Sequence, residues 1–79
     1  MKKRVLGYNE TISELTKGNR IISAPMSDHD YMIIDNKTCT IRDDFFPRAL
    51  AGGMTFDRRY RAGSYVFEIT LTDTKGDTI

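Results

Sequence analysis

The strongest pattern in the chain lies toward its C-terminal end. Tyr65, Phe67, Ile69 and Leu71 alternate with Val66, Glu68, Thr70 and Thr72, the period of two that sends successive side chains to opposite faces of a strand. Ala62-Gly63 just before it predicts a hairpin tip, which makes residues 54–60 the partner strand. Upstream, Arg20-Ile21-Ile22-Ser23 and Tyr31-Met32-Ile33-Ile34-Asp35 are β-branched and aromatic runs bounded by turn residues, and they predict two antiparallel neighbours. Asp35-Asn36-Lys37-Thr38 turns the chain, with Asn36 suited to positive φ, and Cys39-Thr40-Ile41 adds a short third strand.

Two segments carry helix signals instead. Residues 9–18 place Ile12 and Leu15 on one stripe, with Thr11 and Glu14 in capping-box spacing, Asn9 as the competing N-cap, and Gly18 at the C-terminal end. Residues 43–53 hold a second short helix. Pro47 is tolerated only in a first turn, which puts the N-cap at Asp43 or Asp44; Phe46 and Leu50 then share a face with Phe45 and Ala49 beside them, and Gly52-Gly53 ends the helix. Residues 73–79 lack an apolar pattern and read as a flexible tail. The expectation is one α+β domain over residues 1–72, in the order α-β-β-α-β-β with a C-terminal antiparallel hairpin.

Length and composition narrow the classes that remain. Seventy-nine residues with 39% apolar and 29% charged positions describe a single folded domain. No apolar run approaches the roughly 18 residues that span a bilayer, so no membrane role is expected. The single cysteine, Cys39, has no intrachain partner; a lone thiol suits a reducing compartment and predicts a cytoplasmic chain in which Cys39 is a small, buried residue. The net charge of +1 hides an order: residues 1–27 carry +3, residues 28–44 carry −3 and residues 45–79 carry +1. Nucleic-acid binding by bulk charge is thereby disfavoured, and any such binding needs a local basic stripe.

Enzyme templates find no foothold. The phosphate-cradling, dinucleotide, nucleophile-elbow and zinc-helix motifs are all missing from the sequence. Asp28-His29-Asp30 invites a metal reading, but neighbours in a loop converge poorly on one ion and no second His or Cys cluster completes a shell. Neither a catalytic residue nor a cofactor is expected.

Leu15-Thr16-Lys17-Gly18-Asn19-Arg20-Ile21 after the first helix, a short second helix over residues 46–52 ending in glycine, and the final strand over residues 64–71 together resemble the small winged-helix-like proteins of phage and prophage type. The resemblance implies that Arg58, Arg59 and Arg61, with Tyr60 among them, sit on or near a wing that contacts DNA or RNA. Arg48 on the second helix and Lys2, Lys3 and Arg4 would then add backbone contacts. The same arginines also fit an exposed edge that discourages strand pairing. A second reading is a phage-type inhibitor of a host or defence protein, docking through the acidic middle: Asp28, Asp30, Asp35, Asp43 and Asp44. A third is self-association through the last strand, so both monomer and homodimer stand open.

Overall fold

The computed structural model describes residues 4–63 and 65–79; Lys2 and Lys3 lie outside them. The chain runs through β1 (Val5–Leu6), α1 (Tyr8–Thr16), β2 (Ile21–Ser23), β3 (Asp30–Ile34), β4 (Lys37–Ile41), α2 (Phe45–Ala51), β5 (Thr55–Tyr60) and β6 (Phe67–Thr72). The strands form one mixed six-stranded sheet in the order β1-β4-β3-β2-β6-β5. Among the described residues β1 and β4 are the one parallel pair. This is a small α+β domain with two helices and an antiparallel C-terminal hairpin. The expected order α-β-β-α-β-β needs two corrections: β1 precedes the first helix, and β4 runs the full length from Lys37 instead of three residues.

Register explains where the core sits. Ile21 faces Met32 on one side and Ile69 on the other, Met32 faces Cys39, Leu6 lies beside Ile41, and Phe56 opposes Leu71. Cross-strand partners share a face, so these residues make one apolar sheet surface. Leu15 of α1 and Phe45, Phe46 and Ala49 of α2 close over it as a single cluster. Buried Cys39 belongs to that cluster, as its composition suggested. The other face of the sheet carries Val5, Thr40, Tyr31, Ile33, Ile22, Glu68 and Arg59; none of them is buried, and this face stays open.

Local chemistry sets the element ends. Ile34 pairs with Lys37 across a two-residue turn in which Asp35 and Asn36 have φ of 50° and 64°, the mirror-image turn whose twist matches a hairpin. The expected capping box does not form. Helix α1 begins at Tyr8 with Gly7 as N-cap and Asn9 already inside it, because β1 feeds directly into the helix. Thr11 instead donates its hydroxyl to the Gly7 carbonyl at 2.8 Å, and Glu14 turns to the far end, accepting from Lys17 at 3.1 Å and Asn19 at 2.8 Å. These two donors, Lys17 foremost, hold the Glu14 carboxyl below the usual carboxylate range against the opposing effect of desolvation.

Helix α2 has Asp44 as N-cap and Pro47 in its first turn, as expected. The apolar stripe is rotated from the expected one: Phe45 and Ala49 are fully buried and Leu50 is 49% exposed. Aromatic contacts account for the rotation, since Phe45 packs on Tyr8 at 5.4 Å and on Phe46 at 5.1 Å, and Phe46 reaches Phe56 at 4.6 Å. Residues 73–79 fold back on the sheet. Asp73 Oδ1 accepts the N–H groups of Lys75 and Asp77, the Ile79 N–H donates to the Leu71 carbonyl, and the Ile79 side chain packs on the core.

Candidate binding surface

Strand alternation divides the arginines that the sequence places together. Arg58 is opposite Ile69, on the helix-covered face, whereas Arg59 is opposite Glu68, on the open face. Arg58 reaches the Asp30 carboxylate at 3.3 Å, and its guanidinium lies 5.6 Å from the Phe46 ring centroid and 5.7 Å from that of Phe56. It caps the aromatic row at the seam between α2 and the hairpin. Arg48 is held similarly, 4.7 Å over the Tyr8 ring. Arg59 lies 3.7 Å from Asp57, its neighbour two residues back on the same face.

At the hairpin end the arrangement changes. The Arg61 N–H donates to the Val66 carbonyl and closes the ladder, beyond which Ala62 and Gly63 turn the chain, Gly63 with φ of 71°. The Arg61 side chain makes no ion pair among the described residues. Tyr65 is 90% exposed and Tyr60 is 64% exposed. Tyr60 is braced by Phe67, ring centroids 4.1 Å apart, while Tyr65 lies outside β6 and so does not join Phe67, Ile69 and Leu71 in their alternation. Tyr60, Arg61, Ala62, Gly63 and Tyr65 line an open hollow of about 430 Å³.

Of the five aspartates, Asp43 and Asp44 lie beside His29, the residue between Asp28 and Asp30, near the start of β3, and Asp35 lies in the turn at the other end of that strand. Asp30, its side chain 17% exposed, is committed to Arg58; Asp43 lies 3.2 Å from His29, and Asp44 lies 3.0 Å from Arg42. Asp28 is in the loop before β3 and Asp35 in the turn after it, so the strand's length separates them. A second open hollow, of about 560 Å³, is lined by Val5, His29, Thr40, Ile41, Arg42, Asp43 and Asp44. Among the described residues no group of three His, Cys, Asp or Glu side chains is placed to hold a metal, and no helix is long and apolar enough to cross a membrane. Tyr65, the first residue of the alternation read from the sequence and not among the candidate contact residues it offered, is an exposed residue outside the strand.

Comparison with protein-family models, with curated proteins and with solved structures gives no match for this chain. The surface is therefore read from its own geometry.

Proposed function

We propose that this chain is a small, non-catalytic binding module that engages a folded protein through the tip of the β5–β6 hairpin. The observation that carries the reading is the pair of exposed tyrosines, Tyr60 and Tyr65, flanking an arginine that makes no ion pair among the described residues, at the end of the hairpin. Tyrosine and arginine dominate the energetics of protein interfaces, since each offers a large contact area with a polar end. Arg4, Arg42, Arg58 and Arg59 each face a carboxylate of their own chain. Their charge is spent internally, and a nucleic-acid contact through the hairpin would neutralise few phosphates. A module of this kind acts by occupying its partner's surface, the mode of an inhibitor directed at a host or defence protein.

The winged-helix likeness supports a second reading in which the same hairpin is a wing on DNA or RNA. The interleaving of Tyr60, Arg61 and Tyr65 favours it, because aromatic rings stack on bases and arginine joins them. Fluorescence anisotropy with labelled duplex DNA and single-stranded RNA, at low and physiological salt, separates the two. The protein-binding reading expects no saturable binding at physiological salt. Micromolar binding that falls steeply with salt and is lost in a Tyr60→Ala/Arg61→Ala/Tyr65→Ala variant would replace it with the nucleic-acid reading.

A further inference from the structure

We infer that the outer edge of β5 pairs with the same edge of a second copy of this chain, centred on Arg58, to join two sheets across a two-fold axis. Strand β5 ends the sheet order, and its register with β6 is unbroken from Thr55–Thr72 to Tyr60–Phe67. It contains no proline and no bulge. The Arg61–Val66 hydrogen bond fixes the phase of the ladder. In an antiparallel pair, hydrogen-bonded and non-bonded positions alternate, so Thr55, Asp57, Arg59 and Arg61 bond to β6. The backbone N–H and C=O groups of Phe56, Arg58 and Tyr60 point outward, unpaired by β6.

The side chains then select one register. A two-fold axis perpendicular to the sheet keeps each face on its own side, so a residue meets a mate of the same face. Centred on Arg58, the pairing sets Phe56 against Tyr60 of the second copy, Arg58 against Arg58, and Tyr60 against Phe56, which uses every outward backbone group of the strand. On the open face, Asp57 and Arg59, 3.7 Å apart in their own strand, meet Arg59 and Asp57 of the second copy in the closer, non-bonded positions, so that the two loose pairs join into one array of four alternating charges. Shifting the centre to Asp57 or to Arg59 also puts like charges on the axis, there on the open face, and gives up the two reciprocal Asp57–Arg59 pairs. Charges on an edge strand ordinarily discourage pairing; in this order they choose its register. The Arg58 guanidinium, drawn to Asp30 and over two rings of its own chain, is held back from its mate. At about 3.3 Å per residue, the dimer holds its two hairpin tips roughly 30 Å apart and pointing in opposite directions. The pairing does not depend on what the tips bind.

Sedimentation equilibrium over a range from about 10 μM to about 1 mM tests the pairing, together with disulfide trapping. The expected mass rises with concentration from the 9.0 kDa of the chain toward twice that value. Asp57→Arg should weaken association by about tenfold or more, because both symmetric pairs change at once, and Asp57→Arg/Arg59→Asp should restore it. Arg58→Cys should cross-link across the axis, its mates being about 5.5 Å apart between Cα atoms, within disulfide reach. Arg59→Cys alone should not, since its own mate lies beyond that reach. A chain that stays at 9.0 kDa throughout, an association indifferent to Asp57→Arg, or cross-linking equally fast at positions 58 and 59 would each overturn the inference. Circular dichroism establishes that each variant is folded.

Discussion

Replacing Arg58 by alanine separates a residue that holds the fold from one that waits for a ligand. Its guanidinium sits 3.3 Å from Asp30 and within 6 Å of two ring centroids, with its side chain 43% exposed. A partly exposed ion pair is worth about 0.5 kcal/mol, and a partly exposed cation over aromatic rings about 0.5–1 kcal/mol. Asp30 is mostly covered and would lose its cation, so Arg58→Ala should destabilise the domain by about 1–2 kcal/mol in all. For a domain of this size that lowers the melting temperature by roughly 5–15 °C. Thermal and urea unfolding followed by circular dichroism read the effect. A double-mutant cycle with Asp30→Ala should return a coupling of about 0.5–1 kcal/mol. Arg61→Ala, by contrast, should leave stability unchanged within about 0.5 kcal/mol. Equal effects of the two substitutions, or no coupling between Arg58 and Asp30, would refute the assignment of Arg58 to the structural seam.

Three further outcomes follow from the packing. Phe45→Ala should cost about 3–5 kcal/mol, enough to unfold much of the population of so small a domain, whereas Leu50→Ala should cost under about 1 kcal/mol; urea midpoints compare the two. Gly53 has φ of 91° and an added Cβ would stand 2.9 Å from Thr74 Cγ2, so Gly53→Ala should destabilise by about 1–2 kcal/mol and loosen the returning segment, visible as faster amide exchange at Ile79. The Glu14 carboxyl is held below its ordinary value by Lys17 and Asn19; the stability it contributes is therefore present above the ordinary carboxylate range and lost as pH falls through the lowered folded value. Glu14→Gln should lower the neutral plateau of a stability–pH curve by what the carboxylate contributes and flatten its acid limb, the two proteins converging at low pH.

Much of the scaffold is written locally in the chain. The alternation of Ile69 and Leu71, the runs at Ile21 and Met32, the Asp35-Asn36 turn and Pro47 at the start of α2 each impose a local geometry that neighbours do not overrule. Strand β1 escapes such reading, because Val5 and Leu6 are too few to show a period and exist as a strand only through β4. The rotation of α2 was equally hidden: Phe46 and Leu50 satisfy helical spacing as well as Phe45 and Ala49 do, and the aromatic contacts of Phe45 and Phe46 with Tyr8 and Phe56 choose between them. The candidate surface was half legible. Arg61 and Tyr60 stand out in sequence, but the pairing of Arg58 with Asp30, 28 residues away, requires the strand order. The acid that neutralises that arginine comes from a loop and strand far along the chain.

The central claim is that the hairpin tip is the face a folded protein meets, and site-specific photo-crosslinking tests it most directly. A benzophenone side chain placed at Tyr65 is compared with one at Thr38, an exposed position in β4, in the cells that express the protein. The account predicts a discrete protein adduct from position 65, abolished by Arg61→Ala, and none from position 38. Adducts to nucleic acid, or the same adducts from both positions, would contradict it.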